Sequence, residues 1–335
     1  PSFQITPFML MDYLVPGNIP STFDETKVIM NLTGSYNLTK DLTFSSTAGL
    51  DYVSEDRDFA RAPWSYLAIV AIPAGAEFGG IETIRENRDL TLDFTQKLNY
   101  KRIFKEKHTI EANAFLEYVK MHRKFHSFTQ TGLDPRTWAL GSGTGWIPFN
   151  AATPNFYRPA VSAAKVDAGL LSYFGTAEYD YDNRFGLAGT IRRDASYRFD
   201  SRNRWGTFYS VSARWNVDNE KFLKDSKYVD YWRFRASYGT TGIQYIAGGG
   251  GGVNPNFLDP NQIRDTNATS VGYGNIAGLG VSNFANPNVV WEVTNQFDIG
   301  VDFGLFDRLS GSFDYYNKLT EDLFDSLTTS AIVGI

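Results

Sequence analysis

Apolar and polar residues alternate strictly over several stretches of this chain. The clearest runs from Leu170 to Tyr181, where every second residue from Leu171 onward is apolar, aromatic or small. Side chains of a β-strand point alternately to its two faces, so this period predicts a strand with one apolar and one polar face. The turn sequence Asp182-Asn183-Arg184 and the renewed alternation from Phe185 to Ile191 predict a hairpin.

The same period recurs along the whole chain. The predicted strands fall near 27–37, 42–52, 90–100, 110–118, 171–181, 185–191, 209–217, 232–238, 291–303 and 309–318. We therefore predict about ten antiparallel strands in a meander. One face is mostly apolar and the other mostly small and polar, as expected for a wall with lipid outside and a wet lumen inside.

The connections between these strands alternate in length. Short ones fall near 39–41, 102–107, 182–184, 218–228 and 305–308, and long ones near 54–82, 128–169, 193–205 and 243–290. In a meander, alternate connections lie at the same end, so this order predicts short periplasmic turns at one end and long extracellular loops at the other. The predicted fold is all-β: an antiparallel transmembrane β-barrel, here a partial arc of about ten strands.

The chain divides into two predicted parts. Residues 1–25 contain four prolines and little periodicity. They are expected to form a loop or entry segment, with Phe8–Tyr13 either in the loop or in a short strand. Residues 26–335 are expected to form part of the barrel, with its longest loops at 54–82, 128–169 and 243–290. An open sheet edge has no hydrogen-bond partners in lipid, so further strands are expected beyond this arc.

Composition narrows the class of protein only partly. Of the 335 residues, 42% are hydrophobic and 16% aromatic, and the mean hydropathy is −0.30. The longest apolar run, Tyr66 to Ala76, is too short for a membrane-spanning helix. The many Tyr and Phe residues suit aromatic girdles at the membrane interfaces, although a soluble β-protein with an aromatic core would have a similar composition.

Other totals exclude several kinds of chemistry. The absence of cysteine removes disulfides, thiolate catalysis and cysteine-bound metals. The charged residues are scattered along the chain, sum to a net charge of −5 and form no basic stripe. We therefore expect no nucleic-acid partner. Because the chain starts at Pro1 without a starting Met or a signal peptide, we expect it to be an internal piece of a longer chain.

The stretch IRRDASYRFDSRNRWGTFYSVSARW, followed by WRFRASYGTTG, resembles the barrel signature of SusC/RagA-type TonB-dependent outer-membrane transporters. The resemblance is dense from about Leu170 to Phe324 and departs at Ala195 and Ile243, where the family has Gly and Asn. The signature positions in this chain are Arg193, Asp194, Arg198, Phe199, Arg204, Trp205, Gly206, Trp215, Arg235, Tyr238, Gly239, Gly242, Trp291 and Glu292.

The resemblance implies a function without covalent chemistry, so neither an enzyme activity nor a cofactor is expected. It implies a barrel of roughly 22 strands around a plug, and energy from a TonB complex reached through segments not in this chain. It also implies a SusD-like surface lipoprotein, and oligosaccharides or peptides as substrates, in a membrane of lipid and lipopolysaccharide. A non-transporting surface or adhesion β-protein and a passive porin remain alternatives, and a plug upstream would distinguish the importer from both.

Aromatic residues of the long loops are the candidate substrate contacts. Aromatic rings suit sugars and peptide side chains, but they equally suit packing of loops against each other. These residues are Trp64, Tyr66, Trp138, Trp146, Phe149, Phe156 and Tyr157.

The other candidate sites have simpler interpretations. His122 and His126 share a strand face and could form a metal pair, but a solvated strand end is favoured. The carboxylates Glu178, Asp180 and Asp182 indicate a hydrated wall rather than an acid–base pair. The Gly248–Gly252 run lacks the Lys-Ser/Thr of a phosphate loop and is interpreted as a flexible loop.

An arginine-rich patch completes the candidates. It could bind an anion or a lipopolysaccharide phosphate, or form the polar rim of an extracellular loop. Its members are Arg192, Arg193, Arg198, Arg202 and Arg204.

Overall fold

The computed structural model describes residues 7–72, 76–149, 151, 157–224, 226–244, 266–271, 277–283 and 287–323. The predicted glycine loop at 248–252 and Phe156 lie outside these residues. Within the described ranges, no helix is both long and apolar enough to cross a membrane.

The elements are mostly long strands. The described residues contain two α-helices, α1 (Pro7–Leu14) and α2 (Tyr66–Val70), and a 3₁₀ turn at Val217–Asn219. The strands are β1 (Ser21–Asn37), β2 (Leu42–Arg61), β3 (Ile81–Phe104), β4 (His108–Thr131), β5 (Ala160–Tyr181), β6 (Phe185–Ser196), β7 (Trp205–Asn216), β8 (Val229–Ile243), β9 (Thr266–Val271), β10 (Ala277–Asn283), β11 (Glu292–Leu305) and β12 (Leu309–Glu321).

Ten of these strands form one sheet in the order β1-β2-β3-β4-β5-β6-β7-β8-β11-β12, and β9 and β10 form a separate pair. The registers of β5 to β8, β11 and β12 are antiparallel. The predicted all-β meander of about ten strands is therefore confirmed. The long loop predicted at 243–290 contains the antiparallel pair β9–β10.

Several strands extend well beyond their predicted limits. The alternating pattern places the start of β5 near Leu170, whereas the strand begins at Ala160, and β2 continues to Arg61. The connections are consequently shorter than predicted: they span 62–80 and 132–159 instead of 54–82 and 128–169. The β2 extension carries polar residues on both faces, as in Ser54 to Asp58, and the β5 extension has small residues on both faces, as in Ala163 and Ala164. Side-chain period therefore reveals neither extension, although backbone pairing continues.

The entry segment differs from its prediction. A helix, α1, occupies Pro7–Leu14 where a loop or a short strand at Phe8–Tyr13 was expected, and β1 begins at Ser21. Pro7 is the first helical residue, a position that tolerates proline because the first N–H groups have no partner within the helix. Asp12 accepts hydrogen bonds from the backbone N–H groups of Tyr66 and Leu67 and thereby caps α2.

The Cα positions divide the described chain into two compact units. The first contains 1–30, 49–92 and 121–167, and thus α1, α2 and the connections 62–80 and 132–159. The second contains 31–48, 93–120 and 168–335, with the short turns and β6 to β12.

Three short turns share one geometry. The turn residues Asp182 and Asn183 both have φ of 52°, and the same left-handed pair occurs at 105–106 and 306–307. In each turn an N–H closes onto the carbonyl three residues earlier, as from Arg184 to Tyr181 at 2.8 Å. Two successive positive φ values match the type I′ turn, whose twist suits a hairpin. The alternation of short and long connections holds except that the 197–204 link is shorter than the 217–228 link.

Candidate functional site

The apolar face of the second unit carries two bands of aromatic side chains. Near the short turns, Trp215 stacks between Phe185 and Phe234, with ring centroids 6.1 and 6.0 Å away. Towards the long connections, Tyr173 stacks on Trp205 at 6.0 Å. Between the bands lie exposed aliphatic residues such as Leu187, Val211 and Ile299.

The spacing of the two bands matches a membrane. Trp205 and Trp215 stand at the two ends of β7, ten positions apart. At about 3.3 Å per residue and a tilt of about 40°, they are separated by roughly 25 Å along the membrane normal. This equals the height of the lipid-facing band of outer-membrane barrels, roughly 25 Å, so the exposed apolar face has the dimensions of a lipid-facing surface.

The opposite face carries a row of charges, here called the arginine ladder. The register places Asp180, Gly186, Arg214, Arg235, Gly300 and Asp314 side by side across six strands. Arg214 binds Asp180, and Arg235 binds Asp314 at 2.7 Å and Asp302 at 3.1 Å. Of the three predicted wall carboxylates, Asp180 belongs to this ion-pair network, whereas Asp182 pairs with Lys107. Sequence reasoning missed Arg214, because its partner is set by register.

A hollow of about 530 Å³ adjoins the ladder on this polar face. Its lining includes Glu178, Asp298 and Arg233, and Arg233 donates to Asn216 at 2.9 Å. Asp298 accepts two hydrogen bonds from Gln296, at 2.9 and 3.0 Å. This face is thus polar and charged, in contrast to the apolar face.

A second row on the polar face combines cations with stacked rings. Phe115 and Phe174 stack at 4.3 Å with their planes 11° apart. Arg192 lies 4.5 Å over Phe174, and Lys97 lies 5.5 Å over Phe115. Each ring contacts the other ring on one face and a cation on the opposite face. The row therefore stiffens the wall rather than offering a free stacking surface.

Two of the family-signature residues, Phe199 and Trp291, pack with Phe208 in one cluster. Phe199, Phe208 and Trp291 are buried against each other, with the Trp291 ring 5.0 Å from Phe199 and 5.5 Å from Phe208. The Trp291 indole N–H donates to the carbonyl of Arg204 at 3.1 Å. A Cβ on Gly242 would meet Phe208 Cε2 at 2.6 Å, which explains the glycine.

The predicted arginine patch does not form a patch. Arg192 points to the polar face, where it binds Glu117 and Asp194, whereas Arg193 lies 5.0 Å over the Trp205 ring on the apolar face. Arg198 is buried, and Arg202 pairs with Asp200. Successive side chains of β6 point to opposite faces, so Arg192 and Arg193 lie on different faces although they are adjacent in sequence.

In the first unit, a buried carboxylate organises the 132–159 connection. Glu82 is fully buried and accepts hydrogen bonds from the indole N–H groups of Trp138 and Trp146. It also accepts the backbone N–H of Gly141 at 2.7 Å. Two candidate substrate contacts are therefore held by one carboxylate, which no local sequence signal indicates.

The remaining loop aromatics divide between packing and exposure. The Tyr157 hydroxyl accepts the N–H groups of Glu77 and Phe78 at 2.7 and 2.9 Å, which ties two connections together. Trp64 packs edge-on against Trp138 at 5.3 Å yet remains 48% exposed. The other exposed residues are Tyr66 and Phe149.

Two long connections contain the same Asp-x-Arg turn. Arg136 donates to the Asp134 carboxylate from its side chain and its backbone N–H, and these bonds lower the Asp134 pKa to about 2. Arg202 makes the same contacts with Asp200 and likewise lowers the pKa of that carboxyl. At the short-turn end, the Arg184 guanidinium lowers the pKa of Glu220.

The histidine pair is not assembled as a metal site. His122 binds the carboxylate of Asp167 through Nδ1. Among the residues that the structure describes, no group of three or more His, Cys, Asp or Glu side chains could hold a metal ion.

A meander of long strands, with a girdled apolar face and a charged opposite face, defines the wall of an outer-membrane β-barrel. Comparisons with known proteins agree with this class. Residues 12–334 match the family described as TonB dependent receptor-like, beta-barrel. The chain is 30% identical over 301 residues to TonB-dependent receptor P3 of Formosa agariphila, covering 88% of this chain and 27% of that protein.

Two further relatives give the same result. TonB-dependent receptor SusC of Bacteroides thetaiotaomicron is 28% identical over 225 residues, covering 66% of this chain and 22% of that protein. The structure of the RagAB peptide transporter superposes with a TM-score of 0.77 at 24% identity, covering 95% of this chain and 32% of that chain, and so supports the fold.

The chain belongs to the TonB-dependent receptor-like β-barrel family, and it is an outer-membrane barrel segment of SusC/RagA type. It spans about a quarter of the length of the curated relatives.

Proposed function

We propose that this chain is part of the barrel wall of an active outer-membrane importer of oligosaccharides or peptides. The importer draws energy from a TonB complex through segments not in this chain. It works with a SusD-like surface lipoprotein above the long connections. The family match over residues 12–334 carries this proposal. The name of the RagAB peptide transporter supports peptides as a substrate class, and oligosaccharides are proposed from the sequence resemblance.

We also propose which residues contact the substrate. Trp64, Tyr66 and Phe149 are exposed on the long connections and are available to a sugar ring or a peptide side chain. Trp138, Trp146 and Tyr157 hold these connections in place through Glu82 and the 77–78 backbone. Phe156 belongs to the same predicted set. The lipid-facing surface is proposed to contact outer-membrane lipid and lipopolysaccharide.

Energy-dependent uptake tests the proposed function. Cells carrying the whole protein should accumulate a labelled oligosaccharide or peptide, and removing TonB should abolish the uptake although the barrel is still present. The double variant Trp64→Ala/Phe149→Ala should raise the half-saturating substrate concentration, whereas Phe222→Ala at a short-turn connection should not. Uptake unaffected by TonB would indicate a passive porin, and no uptake of any such compound would favour a surface or adhesion protein.

A further inference from the structure

A cationic side chain lies on the apolar face of the second unit. Arg193 belongs to β6, and its side chain is exposed. Strand alternation places it on the same side as Leu187 and Ile191, which are exposed aliphatic residues of that face. Arg193 is therefore a charged residue in the surface that has the dimensions of a lipid-facing band.

The strand register places Arg193 at the level of the aromatic band that adjoins the long connections. Tyr173 of this band lies directly opposite Arg193 on β5. Trp205 lies one same-face position further towards the 197–204 connection, and the Arg193 guanidinium carbon is 5.0 Å from the centre of its ring. The charged end of the side chain thus extends away from the middle of the membrane. This is the conformation expected of an arginine that keeps its guanidinium among lipid headgroups.

The charge of Arg193 is not neutralised by a neighbouring carboxylate. Among the residues that the structure describes, Arg193 makes no ion pair. Arg192, the preceding residue on the polar face, pairs with both Glu117 and Asp194. A charged side chain on the lipid-facing surface of a barrel is costly at the middle of the membrane and is tolerated near the headgroups. The position of Arg193 therefore suits a cation whose counter-ion comes from the lipid.

Two hydroxyl groups flank the guanidinium. Thr207 lies directly opposite Arg193 on β7, as Tyr173 does on β5, and both residues are exposed. Tyr173, Arg193 and Thr207 therefore form one row across three strands, here called the Arg193 row. A guanidinium can donate two parallel hydrogen bonds to a phosphate, and a hydroxyl can donate one more. The row thus combines one positive charge with donors on either side of it.

We infer that the Arg193 row binds a phosphate group of an anionic lipid headgroup in the outer leaflet. A lipid is the favoured occupant because apolar side chains of the same unit continue directly from the row. Ile191 and Tyr209 lie one same-face position further towards the middle of the membrane, and both are exposed. A lipid held by its phosphate can lay its acyl chains along them. The inference rests on the proposed contact with outer-membrane lipid and on the outward orientation of the long connections, and it names the site.

Native mass spectrometry of the whole protein, purified from outer membranes, tests this inference. The probes are monophosphoryl lipid A and its dephosphorylated counterpart, and the wild type should bind the phosphorylated lipid more tightly. Arg193→Gln removes the charge and should weaken binding of the phosphorylated lipid by about fivefold, with little effect on the other lipid. Thr207→Val removes one hydroxyl donor at nearly constant shape and should weaken binding of the phosphorylated lipid by roughly two- to tenfold.

A matched variant controls for the loss of charge. Arg308, in the short turn between β11 and β12, is likewise exposed, and Arg308→Gln should bind both lipids as the wild type does. Arg193→Lys keeps the charge but not the planar fork of donors, so its affinity should lie between those of the wild type and Arg193→Gln. If Arg193→Gln does not fold, Arg193→Lys and Thr207→Val should still show weaker binding of the phosphorylated lipid.

Three outcomes would overturn the inference. The first is equal binding of both lipids by the wild type, and the second is unchanged binding by the variants of the Arg193 row. The third is complete displacement of the lipid by inorganic phosphate at equal concentration, which would indicate a small-anion site. If the variants instead lose a co-purifying protein and keep the lipid, the row is a protein interface and the inference is wrong. Because lipid binding is measured without uptake, it can fail while the import proposal stands.

Discussion

Arg214 and Arg235 lie directly opposite each other on β7 and β8, and each guanidinium extends away from the other, across a glycine, to a carboxylate. Gly186 separates Arg214 from Asp180, and Gly300 separates Arg235 from Asp314. The missing side chains at the glycines leave room for the arginines to lie flat along the polar face. The repulsion between the two cations is thereby offset by a carboxylate on either side.

A side chain at one of these glycine positions should weaken the arginine ladder. A Cβ on Gly300 would lie 3.0 Å from Arg235 Cζ, so Gly300→Ala forces the guanidinium away from Asp314. Both side chains are flexible and about half exposed, so we expect a loss of at most about 1 kcal/mol, typical of an exposed ion pair. Heat-modifiability of the whole protein on gels, read as the temperature of half-unfolding, measures it.

Gly189→Ala is the matched control, because its Cβ would meet nothing closer than 3.7 Å. It should unfold at the temperature of the wild type. Equal effects of the two alanine substitutions would show that the ladder does not depend on the glycine gap.

The signature cluster should respond to substitution in the same way, with a specific rescue. Gly242→Ala places a methyl group against the Phe208 ring and should cost about 1–3 kcal/mol. Phe208→Leu shortens that ring and should recover part of the loss in the double variant, since contacting residues couple. The same unfolding measurement provides the double-mutant cycle, and strict additivity of the two changes would contradict the proposed contact.

Glu82→Gln should loosen the 132–159 connection. The amide retains one acceptor oxygen for three N–H donors and places its own donors against them, which costs about 1–3 kcal/mol in a buried site. Trypsin should then cleave after Arg136 in the folded whole protein, faster than in the wild type. Glu106→Gln, in a short turn, is the control, and equal cleavage in all three proteins would refute the role of Glu82.

The turn at Asp134 should stay intact down to an unusually low pH. Its pKa is lowered to about 2 from an ordinary value of 3.8, so the ion pair with Arg136 stabilises the turn fully above the ordinary value. That stabilisation is lost as the pH falls through the lowered pKa. Nicking by pepsin near Trp138 should stay slow down to about pH 4 and rise towards pH 2, whereas Asp134→Asn should be nicked readily already at about pH 4. Parallel pH profiles would contradict the lowered pKa.

The sequence predicts the strands wherever the two faces differ in polarity. Leu171 to Tyr181 and Phe185 to Ile191 were found because one face meets lipid and the other water. The extension of β5 back to Ala160 was not found, because small residues such as Ala163 and Ala164 fall on both faces and blur the alternation. Helix α1 was missed because it is almost uniformly apolar and shows no helical period.

The sites were harder to predict than the strands. Glu82 lies more than fifty positions before Trp138 and Trp146, and the Arg235–Asp314 pair depends on a register set by the strand β11 between them. Such contacts follow from pairing across strands, which local spacing does not encode. The signature residues were identified through resemblance, and for Phe199, Gly242 and Trp291 the structure supplies a physical reason in their packing with Phe208.

The central claim is that the long connections face the outside and the short turns face the periplasm. The chain has no cysteine, so once any cysteine elsewhere in the whole protein is replaced, a single cysteine introduced here is the sole reactive thiol. We predict that cysteines at Ser142 and Ser201, in long connections, react with a membrane-impermeant maleimide on intact cells. Cysteines at Glu106 and Asn183, in short turns, should react only after the outer membrane is opened. Labelling of the short-turn positions on intact cells, or equal labelling at both ends, would contradict the account.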